Sequence, residues 1–180
     1  MTEAATVAGD EKLRLFLALL LPDDVAGVLR EWGGRHLDRG RILEHFHVTL
    51  AFLGARPRSE LEGILGALRD ASAGTAPFTL APVRYRETRS VGMLVLDDPE
   101  GEATRLAERI HTSLEALGVY RREARPWLPH VTVLRFRERP RLRPSLPELQ
   151  PFAPSEAAAF LSRLHPSGAR YEILERVGLR

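Results

Sequence analysis

His47-Val48-Thr49-Leu50-Ala51-Phe52-Leu53-Gly54 is the stretch on which the fold turns, because its opening returns 83 residues later as His130-Val131-Thr132-Val133-Leu134-Arg135. In a strand, residues i and i+2 point to one face. His47 and Thr49 therefore share a face, and strict alternation sends Val48, Leu50 and Phe52 to the other. His130 and Thr132 repeat the arrangement, with Val131 and Val133 behind. Each strand has an apolar back and a front carrying an imidazole beside a hydroxyl.

The surroundings repeat as well. Leu13 to Leu20 reads as a buried strand. Pro22, Asp23 and Asp24 open a helix with Val25, Val28, Leu29 and Trp32 on one face. After the first His-x-Thr strand, Ser59 and Glu62 form a capping-box pattern for a helix bearing Leu61, Ile64, Leu65 and Leu68. Phe78 to Tyr85 and Val91 to Leu96 read as strands. Glu102 to Leu117 is a helix with Leu106, Ile110, Leu114 and Leu117 inward, and Gly118 stops it. Pro129 to Phe136 is the second His-x-Thr strand. Five prolines make Arg139 to Pro154 a loop or extended connector. Ser155 to Leu164 suits an alanine-rich helix or a strand. The turn at Pro166-Ser167-Gly168 favours a hairpin of Phe160–His165 with Tyr171–Leu179. Residues 1–10 are small and polar and read as a disordered tail.

The composition excludes several classes. At 180 residues the chain suffices for one domain, or two small lobes sharing a core. No apolar run approaches the roughly 18 residues of a membrane span. With no secretory pattern at the N-terminus and no cysteine, a cytoplasmic protein without disulfides or thiolate metal sites is expected. The net charge is only +2, yet Lys12 is the single lysine among 26 basic residues. Eight arginines against Glu123 and Glu138 give residues 121–143 a local balance of +6. Guanidinium groups grip phosphate bidentately and stack on bases. Arg125, Arg137, Arg139 and Arg141 are candidates for an RNA entry patch or for a solvated strand edge.

If the two His-x-Thr strands lie side by side, both imidazoles face one cleft. An imidazole exchanges a proton near neutral pH. Two of them across one phosphorus atom can act as acid and base in a single in-line displacement. The hydroxyls of Thr49 and Thr132 can donate to the non-bridging oxygens, where charge builds. His45 makes a His-x-His pair with His47, but a zinc site wants three or four ligands and no partner is in pattern, so no metal is expected. His36, His111 and His165 read as structural. Trp127 and Phe52 read as core rather than as base platforms.

The chain resembles the two-histidine phosphoesterase superfamily, and within it the RNA 2′,3′-cyclic phosphodiesterases, also called 2′-5′ RNA ligases. The resemblance runs from Leu13 onward. It rests on Arg14–Leu19 followed by Pro22, on His47–Gly54, on Trp127–Val133 with Arg135, and on Leu161–Leu164 with Pro166, Gly168 and Tyr171. It implies an α+β, bilobal fold of duplicated α/β units, with two antiparallel sheets lining a central cleft and helices outside. Residues 11–180 would then form one domain of two pseudo-symmetric lobes. It also implies hydrolysis of an RNA 2′,3′-cyclic phosphate to a 2′-phosphate without metal or other cofactor. In that scheme His130 is the base, His47 the acid, and Arg135 sits at the phosphate or nucleotide. A monomer acting away from membranes is expected. Ligation through a 2′-5′ linkage is the alternative within enzymes, and a non-catalytic RNA-binding module the alternative outside them. Two features depart from simple expectation. Gly40 and Arg41 stand where the family often has an aromatic, and alternation alone points Arg135 away from the cleft.

Overall fold

Alternation builds the first strand, β1 (Lys12–Leu20). In the computed structural model, which describes residues 10–179, Leu13, Leu15, Leu17 and Leu19 point into the main core. Phe16 and Ala18 point the other way and join a second cluster with Ala158 and Phe160. Each leucine so enclosed stabilises the fold by roughly 1.5–3 kcal/mol.

The remaining elements follow in chain order: α1 (Asp23–His36), β2 (Arg41–Ile42), β3 (His47–Pro57), α2 (Leu61–Ala73), β4 (Ala81–Glu87), β5 (Val91–Asp97), α3 (Glu102–Ala116), β6 (His130–Arg135), β7 (Glu156–Arg163) and β8 (Arg170–Gly178). The architecture is α+β. All eight strands pair antiparallel in the order β4-β5-β6-β3-β1-β7-β8, with β2 on β6. The two antiparallel sheets that the resemblance implies are the halves of this one sheet. A single pair, Val48↔Val131, joins them. The helices bury Val25, Leu29, Trp32, Ile64, Leu68, Leu106, Ile110 and Leu114 in the main core, behind the His-x-Thr face. The C-terminal hairpin forms as expected, β7 pairing with β8 from Glu156↔Gly178 to Arg163↔Arg170.

Several local expectations give way to specific contacts. The capping box does not form. The chain enters α2 through a 3-10 turn at Arg58–Glu60, and the Ser59 hydroxyl is taken by Asp10. Asp10 is thereby tied to the fold, while the rest of the expected tail lies outside the described residues. The strand expected from Phe78 starts only at Ala81, because carboxylates divert the amides before it: Glu102 accepts from Ala76 N and Glu100 from Thr79 N. Val28 and Leu117, expected inward, are exposed at the edges of their helices. The connector is extended and anchored at Leu80↔Phe152. Trp32 anchors it again, its Nε1 donating to Ser145 O at 2.8 Å.

Candidate active site

The pair Val48↔Val131 sets the geometry, since it places His47 opposite Thr132 and Thr49 opposite His130 across the joint between half-sheets. His47, Thr49, Thr132 and Arg135 line one cleft of about 700 Å³. His130 is half-buried and stands just outside that wall. Its Nδ1 lies 2.8 Å from Leu128 O. In the neutral ring this nitrogen donates to the carbonyl, leaving Nε2 with its lone pair free. That is the tautomer a proton acceptor needs.

Arg135 reaches the cleft by a bulge. Across β5 and β6 the register runs Gly92↔Leu134 and then Met93↔Thr132, so Val133 is an extra residue. It is buried next to buried Leu134, and the alternation resumes one step late. The same happens on β3. Leu17 pairs Ala51 and Ala18 pairs Thr49, leaving Leu50 extra. Phe52 is thereby turned out of the core onto the cleft wall, half exposed. The sequence held a signal for both corrections: the adjacent apolar pairs Leu50-Ala51 and Val133-Leu134 break strict alternation. Displaced carbonyls find partners elsewhere. His111 Nε2 lies 2.7 Å from Leu50 O, Trp127 Nε1 donates to Thr49 O at 3.0 Å, and Leu43 N donates to Val133 O at 3.0 Å.

His47 is enclosed by Phe16, Phe160 and Tyr171, whose ring centroids lie 5.0, 5.9 and 5.7 Å from its own. Burial lowers its pKa to about 4, and the charges of His130, Arg135 and His45 push the same way. The imidazole is therefore neutral at pH 7. His45 also lines the cleft, and no group of three His, Asp or Glu side chains suited to a metal gathers there among the described residues.

The cleft draws on residues the sequence did not single out. Arg14, Arg41 and Arg170 line it with Arg135. The proposed entry patch is differently disposed, for Arg125 pairs with Glu123 and Arg139 with Glu87. Arg41 takes the place where an aromatic was expected. Gly40 cannot carry one, since its φ is +102° and a Cβ there would lie 2.7 Å from Arg135 O.

Residues 21–164 match the model of the 2′-5′ RNA ligase superfamily. The chain is 33% identical to the RNA 2′,3′-cyclic phosphodiesterase of Thermus thermophilus, over 93% of this chain and 91% of that one. The crystal structure of TT0787 from the same organism superposes with a TM-score of 0.79 at 28% identity, covering 93% of this chain and 98% of that one. The crystal structure of E. coli LigT superposes with a TM-score of 0.82, covering 94% and 98%. At 24% identity that second likeness speaks for the fold.

Proposed function

The chain belongs to the 2′-5′ RNA ligase superfamily, and from that premise we propose that it hydrolyses RNA 2′,3′-cyclic phosphate ends to 2′-phosphates, with His47 and His130 as acid and base. One observation carries this reading: the two His-x-Thr strands meet at Val48↔Val131 and bring their hydroxyls and Arg135 to one cleft. The activity of the Thermus relative supports it.

In the proposed step a water oxygen attacks phosphorus and the P–O3′ bond breaks. His130 Nε2 takes the water proton, and His47 gives a proton to O3′, leaving a free 3′-hydroxyl and a 2′-phosphate. Thr49 and Thr132 donate to the non-bridging oxygens. Arg135 balances their charge where it builds. Burial and the neighbouring charges hold His47 neutral, so an acid role requires that the incoming phosphate supply the missing negative charge and draw a proton onto the ring. The same in-line attack, with an RNA 5′-hydroxyl in place of water as the nucleophile and O3′ again leaving, gives the 2′-5′ linkage of the family's description. We assign no metal to the chemistry. No helix among the described residues is long and apolar enough to cross a membrane, and we assign the reaction to the cytoplasm.

The test is product analysis on an oligonucleotide ending in a 2′,3′-cyclic phosphate, with chelator present. A 2′-phosphate at an undiminished rate is expected. His47→Ala and His130→Ala should each lose about 10²–10⁴-fold in kcat while keeping their circular dichroism. Near-normal turnover by both variants, or dependence on a divalent cation, would sink the mechanism.

A further inference from the structure

Leu50 is the extra residue of β3, and the carbonyls on both sides of it are met by side chains from distant elements. His111 meets the carbonyl of Leu50. Trp127 meets that of Thr49, its Nε1 donating at 3.0 Å across 78 residues of sequence. The second bond lies closer to the chemistry. The Thr49 carbonyl belongs to the peptide that directly follows the threonine, so its direction fixes the backbone torsion beside the carbon that carries the hydroxyl. That hydroxyl is one of the two that the cleft offers to a phosphate.

The sheet has no amide to give at this point. Val48↔Val131 is the one pair between β3 and β6. Continued in register, Thr49 would face His130 and Leu50 would face Pro129. Proline has no N–H, and the Pro129 carbonyl already accepts from Leu96 N on β5 at 2.9 Å. The ladder between the halves stops there, and the indole N–H supplies the bond beyond it. Trp127 comes three residues before His130, in the segment whose Leu128 carbonyl holds His130 Nδ1 at 2.8 Å. The stretch Trp127–His130 thus sets the tautomer of one imidazole and the peptide beside the threonine of the other strand. Packing alone does not call for an N–H here. Trp127 is only partly buried against the main core, and a phenyl ring would fill most of its place.

Resting on the cyclic phosphodiesterase reading above, we propose that Trp127 is a positioning residue for the reaction, its indole N–H holding the Thr49 peptide so that the Thr49 hydroxyl meets a non-bridging phosphate oxygen. Trp127 does not itself line the cleft, so it acts only through Thr49. A displacement of about 1 Å at a reacting centre costs up to about 10²-fold. The loss falls on turnover, where charge builds on that oxygen, more than on ground-state binding.

The test is a double-mutant cycle on the cyclic-ended oligonucleotide. Trp127→Phe keeps a ring and removes the N–H. It should lower kcat about 10–100-fold while KM stays within about twofold. Thr49→Val removes the hydroxyl and should lower kcat about 10²–10³-fold. In the Thr49→Val background Trp127→Phe should cost nothing further, because the group it aims is gone. Trp32→Phe is the control. It loses the other indole bond of the protein, to Ser145 O at 2.8 Å, and should lower stability without changing kcat. An unchanged kcat in Trp127→Phe, or the same loss of kcat with and without the Thr49 hydroxyl, would overturn the assignment. So would an equal fall of kcat in Trp32→Phe, which would trace both to lost stability. Inorganic phosphate at pH 8 is a dianion and carries the extra charge of the transition state, so its affinity by calorimetry repeats the cycle without turnover. If the wild type cleaves no cyclic phosphate, the phosphodiesterase reading fails and phosphate affinity decides this one. A severalfold weakening by Trp127→Phe that vanishes in Thr49→Val supports the positioning role, and an independent loss, or none, overturns it.

Discussion

His47 sits among three aromatic rings and near three cationic or ionisable neighbours, and each of these surroundings resists its protonation. Because its folded pKa is about 4, against an ordinary 6.5, the unfolded chain binds the extra proton between those values. Stability is therefore expected to be undiminished above pH 6.5 and to fall as the pH drops toward 4. The full difference amounts to about 3 kcal/mol for a shift of this size. Urea melts of the wild type and of His47→Gln at pH 7 and pH 4 would measure it. The variant should lose less on acidification, and equal losses would show that His47 is not the acid-sensitive group. The same depression shapes ligand binding. An oxyanion set among His47, Arg135 and the two threonines offsets the charges that oppose protonation, so binding and proton uptake should be coupled. Sulfate, a dianion from pH 5 to 8, should bind more tightly as the pH falls, by up to about tenfold per unit. His47→Gln should remove most of that gain. Sulfate affinity that is flat with pH would mean that no proton follows the anion onto this ring.

Element by element, the sequence disclosed most of what builds the fold, including the two strands that build the site, but strict alternation missed the extra residue in each. The leucine alternation of β1, the apolar faces of α2 and α3 and the hairpin turn at Gly168 are local patterns, and local patterns survive into the structure. The two-residue period fails where a strand takes in an extra residue. Leu50 and Val133 do this at matching points, and His47–Phe52 and His130–Arg135 end with the same burial sequence. Phe52 and Arg135 are thus delivered to the cleft by one device. Arg14, Arg41 and Arg170 were illegible for another reason: nothing near them in sequence says which face of which distant strand they meet. The bulge on β3 depends on a group that is equally distant, since the Leu50 carbonyl is met by His111 from α3. His111→Ala leaves that carbonyl buried and unpaired, and a loss of about 1–3 kcal/mol is expected in chemical denaturation. It should also lower phosphodiesterase activity, because the strand re-aims Thr49 as it relaxes. His111→Gln can still donate to the carbonyl and should restore part of both. A variant with lowered stability but untouched activity would separate the bulge from the site.

Across the whole molecule, two half-sheets joined by one residue pair need support from outside the sheet. The connector supplies it. It leaves β6, passes α1 where Trp32 holds Ser145 O, pairs at Leu80↔Phe152 beside β4, and continues into β7 on the other half. Its first fixed point is Glu87, at the end of β4. That carboxylate is buried and accepts from Tyr85 Oη, Arg139 Nε, Arg141 N and Leu142 N. Arg141 is held there with φ at +58°, a conformation that an arginine does not adopt unaided. Removing the carboxylate would leave two amides and a phenol without acceptors, so Glu87→Ala should cost about 2–4 kcal/mol. Loss of stability alone would not identify the strap. The distinguishing measurement is limited trypsin digestion, because the Arg141–Leu142 bond lies in the freed segment, while Arg139 and Arg143 are each followed by proline and resist the protease. Early cleavage there, ahead of cleavage in the helices, is expected of Glu87→Ala and not of the wild type. Cleavage spread evenly over the chain would mean that Glu87 serves general stability and that something else holds the halves together.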